Sequence, residues 1–224
     1  MANARINFCS PVIPNFNLVE SYLKDSIALK HLSNFGPATN LLSERLNQYL
    51  SLNETKDIVI LSSGHTALMA AYSVLNIKKP LIPAYTFYST YCSATILGVE
   101  PILVDVSLES GCLELDNIKD IPLDTYDSIV TVCGLSSIPN LELLSNFCKE
   151  NNKKLIIDGA ATFGTKDIFN YGDAFCLSFH ATKSFPIGEA GAIIVNKEYV
   201  KDIKAFATFG FNEQRVPVRM GMNA

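Results

Sequence analysis

Apolar residues fall in short unbroken runs along most of the chain, and stretches with helical spacing separate the runs. The pattern predicts strands at residues 57–61 (DIVIL), 80–83, 101–106 (PILVDV), 128–133 (SIVTVC), 154–158 (KLIID), 174–179 (AFCLSF) and 192–195 (AIIV). It predicts helices at residues 66–75, 89–97, 139–149 and 200–209. Runs that are apolar at every position, rather than at alternate ones, suit strands covered on both faces. Alternation of such strands with helices predicts an α/β fold, with a mostly parallel central sheet and helices on both faces. Upstream the pattern changes. Residues 19–29 and 38–50 read as amphipathic helices joined by the breaker-rich turn Ser33-Asn34-Phe35-Gly36-Pro37. The expected division is a helical segment, residues 1–56, packing on an α/β unit, residues 57–224.

Composition narrows the function without choosing it. The chain of 224 residues is 48% hydrophobic, 18% charged and carries a formal net charge of -4. That supports one sizeable core. No basic patch stands out, so no nucleic-acid partner is expected. No apolar run reaches the ~20 residues needed to span a bilayer, and no signal peptide is recognisable, so a cytoplasmic protein without a membrane partner is expected. Cys9, Cys92, Cys112, Cys133, Cys148 and Cys176 form no C-x-x-C pair. They suggest neither zinc nor a redox dithiol, and are expected to be reduced, buried and inert.

Three segments stand where a doubly wound sheet presents its ligands, just past the carboxyl ends of strands. Ser62-Ser63-Gly64-His65-Thr66-Ala67-Leu68 leaves a strand and opens a helix. Small residues there allow backbone N–H groups to approach an anion at the positive end of the helix dipole. The same segment also reads as a plain tight turn with Ser63 or Thr66 as N-cap. Asp158 closes KLIID and either caps the following turn or faces a cationic ligand group. Lys183 lies in Ser178-Phe179-His180-Ala181-Thr182-Lys183-Ser184, among small and apolar residues. It is an ordinary surface lysine or a desolvated amine nucleophile. Taken together, and in this order, an anion cradle, an aspartate and a lysine suit pyridoxal 5'-phosphate. The cradle takes the phosphate, the aspartate pairs with the pyridinium nitrogen and the lysine forms the Schiff base.

The same residues resemble the DegT/DnrJ/StrS-type sugar aminotransferases, which are fold-type I pyridoxal-phosphate enzymes. Ser63-Gly64-His65-Thr66-Ala67-Leu68 is similar to the family's S-G-T-x-A-L loop. Pro83-Ala84-Tyr85-Thr86-Phe87 is similar to P-A-x-T-F, and residues 98–106 are similar to G-x-x-P-x-x-V-D-V. Asp158 fits E-D-A-A-Q/H, and residues 172–191 resemble G-D…S-F-H-x-x-K…G-E-G-G. Phe35-Gly36-Pro37 resembles an early G-P turn.

The resemblance implies the large domain of such an enzyme. Lys183 would be catalytic, and Gly64, His65, Thr66, Phe87, Asp158, Ala161, Ser178 and Asn223 would join it around the cofactor. Phe87 would stack on the ring, and Asn223 would reach the phosphate of a partner subunit, so a homodimer is expected. The implied reaction moves an amino group from an amino-acid donor, glutamate in the family, to a nucleotide-linked keto-sugar in sugar or polysaccharide biosynthesis. Three departures bear on this. His65 replaces a threonine, Ala161 replaces a glutamine or histidine that bonds the phenolic oxygen, and Ile157 replaces a glutamate. The resemblance also ends inside G-x-N-x-R-M, which implies that the C-terminal small domain is missing. Two rivals follow. One is a degenerate homologue that binds cofactor, or only dimerises, without turnover. The other is a sugar dehydratase, against which Lys183 argues, because related dehydratases carry histidine there. His180 is expected to make a structural hydrogen bond more than to carry protons. Tyr85 and Tyr88 are read either as pocket or as core residues.

Overall fold

A computed structural model describes residue 9, residues 11–134 and residues 137–224. Two helices come first, α1 (Phe16–Ala28) and α2 (Pro37–Tyr49). The α/β part follows in the order β1 (Lys56–Leu61), α3 (Gly64–Val74), β2 (Pro80–Pro83), α4 (Ser89–Thr95), β3 (Ile102–Val104), α5 (Leu115–Ile118), β4 (Ser128–Val132), α6 (Leu141–Glu150), β5 (Lys154–Asp158), β6 (Ala174–Ser178), β7 (Gly191–Asn196) and α7 (Val200–Phe206). The strands form one sheet in the order β1-β7-β6-β5-β4-β2-β3. Only β7 runs against its neighbours, pairing antiparallel with both β1 and β6. The α/β fold with a mostly parallel sheet is therefore as expected.

Strand alternation sorts the side chains into two cores. Val59, Ile82, Val130, Ile156, Cys176 and Ile193 pack on one face with α3 and Phe206 of α7. Ile58, Leu81, Ile129, Leu155, Ile157 and Phe175 pack on the other with Leu46 and Leu50 near the end of α2, and with α6. Both faces are covered, which explains runs without polar alternation. Of the helices, α3 is the most deeply buried, with Thr66–Tyr72 and Val74 all inside. By contrast α1 buries only Ser26.

The structure departs from the sequence pattern mainly at element ends. Residues 101–106 supply only the three-residue β3, and the helix expected at 89–97 stops at Thr95. The helix expected at 200–209 stops at Phe206. Phe209 takes a left-handed φ of 59°, and the backbone folds back so that Thr208 bridges Asn223. The short α5 was not expected; its capping box pairs Glu114 with Asn117. No helix among the described residues is long and apolar enough to cross a membrane.

The cysteines need a correction. All six are free, and Cys112, Cys133, Cys148 and Cys176 are buried, but Cys9 is exposed and Cys92 is partly so. Burial pushes the Cys133 and Cys148 thiols up to about 12. It raises Cys176 well above the usual thiol range as well. Only the thiolate reacts. At pH 8 a thiol-specific disulfide reagent is expected to modify Cys9 quickly and Cys92 more slowly. The other four are expected to react only after denaturation. Rapid reaction at Cys133, Cys148 or Cys176 in the folded protein, located by peptide mass spectrometry, contradicts this packing.

Candidate functional site

The carboxyl ends of β1, β2, β5 and β6 lie along one edge of the sheet, and every singled-out residue of the α/β core sits there. The turn from β1 into α3 comes first. Ser63 is the N-cap, as one of the two sequence readings had it, and its Oγ accepts from the Thr66 N–H at 3.1 Å. The Ala67 N–H bonds the Ser63 carbonyl at 3.1 Å. The Gly64 and His65 N–H groups have no partner among the described residues. An α-helix leaves its first N–H groups without an internal acceptor, so these two are open donors at its positive end.

Two other segments close on that turn. A Cβ built on Gly64 would come within 2.9 Å of the Ser178 Cβ, and one built on Gly191 would collide with the Ser63–Gly64 peptide. Glycine at both positions is therefore a matter of space. It lets the start of α3 lie directly against the end of β6 and the start of β7. Ser178 is buried there, pairing with Gly191 across the strands. His65 reaches sideways, its Nδ1 sharing a hydrogen bond of 2.8 Å with Ser89 Oγ at the first turn of α4.

Asp158 ends β5 on the same face as Ile156. It is only 6% exposed, less open than a residue lifted into a crevice would be. Its Oδ1 accepts the Ala160 N–H at 3.1 Å, so the turn-capping reading holds. Its Oδ2 accepts the Thr90 hydroxyl at 2.8 Å. Burial raises the carboxyl above its ordinary range, while Thr90, the Ala160 amide and the Lys183 ammonium pull it back down. The turn-capping reading is thus realised, and Lys183 is near enough for its charge to act on the carboxylate. Thr90, and Thr86 behind it at 2.7 Å, were missed from the sequence.

Lys183 is half-buried, and its ammonium has no hydrogen-bond partner among the described residues. Its loop is organised by His180. The His180 Nδ1 accepts the Thr182 N–H at 3.2 Å, which leaves Nε2 as the donor facing Glu189 at 3.3 Å. The Lys183 N–H returns to the His180 carbonyl at 2.9 Å. That is the structural role expected of His180. Ala161 follows Asp158 in the adjoining turn, half-buried. Phe87 is 65% exposed, with its ring 4.3 Å from that of Tyr88. Tyr85 and Tyr88 are also exposed, which rules out the core reading for both. Asn223 is not drawn into this cluster by its own chain. Its Oδ1 accepts from Asn34 Nδ2 at 2.9 Å, tying the C-terminal stretch to the turn between α1 and α2.

The profile of the DegT/DnrJ/EryC1/StrS aminotransferase family matches residues 18–224, and the chain belongs to this family. A dTDP-4-amino-4,6-dideoxy-D-glucose transaminase from Shigella dysenteriae is 27% identical over 210 residues, covering 91% of this chain and 56% of that protein. The chain thus spans about half the length of the curated relatives it matches. DesI, solved with its TDP-sugar product, superposes with a TM-score of 0.82 at 22% identity, over 96% of this chain and 55% of its own. A Bacillus subtilis protein, NtdA, solved with bound PMP, gives 0.80 at 24% identity, over 98% and 53%. These two likenesses establish the fold-type I architecture.

The raised Asp158 carboxyl has a consequence for stability. A buried acid that prefers its proton in the folded state adds stability below its unfolded pKa, and this is lost as pH rises through its folded value. At neutral pH the ionised group is therefore a burden on the ligand-free protein. Asp158→Asn is expected to raise the Tm of ligand-free protein at pH 7 by a few degrees, at about 2–4 °C per ~1 kcal/mol for a chain of this size. The gain should shrink as pH falls below the ordinary carboxylate range. Thermal unfolding from pH 3.5 to 8 checks it, and a variant less stable than wild type at pH 7 contradicts it.

Proposed function

We propose that this member of the DegT/DnrJ/EryC1/StrS family binds pyridoxal 5'-phosphate at the edge described and belongs to an aminotransferase acting on nucleotide-linked keto-sugars, with an amino acid such as glutamate as donor. The observation that carries the reading is the convergence of open N–H donors, a buried carboxylate and an unbonded ammonium from three separate segments of the chain, at Gly64, Asp158 and Lys183. Pyridoxal phosphate, when bound, supplies an aldehyde and a ring that accepts electron density from a substrate carbon.

The Gly64 and His65 amides take the phosphate, with the Ser178 hydroxyl beside them and Thr66 held in place by Ser63. The Asp158 carboxylate faces the ring nitrogen and keeps a proton on it. Paired with that cation, the carboxylate is no longer a lone buried charge, and its burden on the fold is relieved. Lys183 Nζ would be the amine beside the aldehyde, and as a free base it would move a proton at the substrate carbon. Phe87 covers one face of the ring, and Ala161 lines the site without offering a hydrogen bond. A second copy of the chain completes the crevice, with Asn223 reaching the neighbour's phosphate. The exposed rings of Tyr85, Phe87 and Tyr88 are apolar surface for that neighbour or for substrate to cover.

Ala161 favours one alternative, a chain that holds cofactor but turns over poorly, since no side chain there tunes the phenolic oxygen. The decisive experiment separates binding from turnover. Protein reconstituted with pyridoxal phosphate and reduced with borohydride should carry the cofactor on Lys183, as read by peptide mass spectrometry. Lys183→Ala should lose the covalent adduct, yet retain cofactor removable by dialysis. Asp158→Ala should keep the adduct but lose most transamination, measured with glutamate alone. An adduct elsewhere, or none, overturns the reading.

A further inference from the structure

Asp158 is held by more than the turn that follows it. Thr90, in the first turn of α4, is 0% exposed, and its hydroxyl donates to Asp158 Oδ2 at 2.8 Å. An ionised carboxylate only accepts, so the single Thr90 proton is committed to it. Thr86 Oγ1, 2.7 Å from Thr90 Oγ1, must then donate inward. The result is a directed chain, Thr86 to Thr90 to Asp158, in which each bond polarises the next. Thr90 is itself fixed from the other side. The buried Tyr72 hydroxyl donates to the Thr90 carbonyl at 3.0 Å, and Ser93 Oγ donates to it at 3.2 Å. Next to it, Ser89 is tied to His65 at the anion-facing turn. The first turn of α4 thus touches both ends of the proposed cofactor site.

We propose that Thr90 is a positioning residue for Asp158, locking the carboxylate in one orientation toward the ring nitrogen, with Thr86 as the donor behind it. The inference rests on the pyridoxal-phosphate reading for its purpose but not for its geometry. Oδ1 is taken by the Ala160 amide and Oδ2 by Thr90, so the carboxylate plane is fixed by two donors on separate elements. Neither donor is charged, and each oxygen keeps lone-pair capacity for a cation in the crevice. A carboxylate held by one donor would be free to turn about its last bond, and its contact with a ring nitrogen would be intermittent.

The test uses Thr90→Val, which keeps the shape and removes the hydroxyl, and Thr90→Ser, which restores it. The first readout is the titration of Asp158 in cofactor-free protein, followed by its carboxyl carbon-13 signal and assigned with Asp158→Asn. The groups facing this carboxylate are Lys183 beyond β6, Tyr72 on α3, Cys176 on β6 and Cys133 after β4. None of them changes in these variants. Loss of the Thr90 donor should move the Asp158 titration to higher pH, and Thr90→Ser should return it toward wild type. Should Thr90→Val fail to fold, Thr86→Val, at a half-buried site, should move the titration in the same direction by less. The second readout is cofactor affinity. Thr90→Val should bind pyridoxal phosphate about tenfold more weakly, the equivalent of one charge-assisted hydrogen bond, and Thr90→Ser near wild type.

A residue that only packs would lower Tm without moving the titration. An Asp158 titration unchanged in Thr90→Val, or in Thr86→Val if that is the variant available, overturns the proposal even where cofactor still binds. A shifted titration in a protein that binds no cofactor upholds the positioning and defeats the cofactor reading instead.

Discussion

A carboxylate at the buried end of a strand is expensive to keep, and the surroundings of Asp158 follow from that expense. Desolvation works against its charge, and Thr90, the Ala160 amide and the Lys183 ammonium offset that cost. The Ala160 amide requires the chain to turn at once after β5. Thr90 requires α4 to lie across that strand end, although β2, the strand before α4, is separated from β5 by β4. Lys183 requires the loop after β6 to fold back over the same edge, and the hydrogen bonds of His180 with Thr182 and Glu189 hold it there. Three separate connections are thus committed to one side chain. None of these requirements would arise from an apolar residue at position 158.

The opposite edge of the sheet shows the contrast. There Asp173 accepts from Lys154 Nζ and from the Leu155 N–H, both at 2.9 Å. Every participant is used up locally, and the pair serves to pin the start of β5. At the carboxyl edge the polar groups are only partly used. The Gly64 and His65 amides and the Lys183 ammonium are left with capacity. Matched donors and a cation left open along one edge mark where ligand chemistry belongs.

The layered fold was legible because burial on both faces writes itself as unbroken apolar runs, and DIVIL, KLIID and AFCLSF do so plainly. The ends of elements were not, because they depend on partners distant in sequence. The helix at 200–206 stops where Thr208 pairs with Asn223, which no local pattern announces. Gly64, Asp158, Ser178 and Lys183 were legible as a set through their order and spacing. Thr90 was not, although it touches Asp158 directly. A threonine in the first turn of a helix reads as a routine cap, and its significance appears only when a strand 68 residues away ends beside it. A second hydroxyl four residues before it, Thr86, was the available hint. Two hydroxyls at that spacing beside an apolar run have little reason to be buried unless something accepts from them.

The rigid and the open parts of the site divide along the same lines. The turn from β1 into α3, Asp158 and the lysine loop are each fixed by hydrogen bonds or by glycine-tight packing. The residues just before α4 are held at their two ends, by the Ala84 N–H on the Val104 carbonyl at 2.8 Å and through Ser89 and Thr90, while Tyr85, Phe87 and Tyr88 project outward between them. Pre-organised polar groups bind best when they need not move, because orientation already established is not subtracted from affinity. Exposed aromatic rings on a short segment have the opposite virtue, since they can adjust to what covers them. His65 joins the two regimes. It lies in the turn from β1 into α3 and holds Ser89, so anything that displaces the start of α3 also displaces the base of the aromatic segment. A threonine side chain at this position would be too short to reach Ser89.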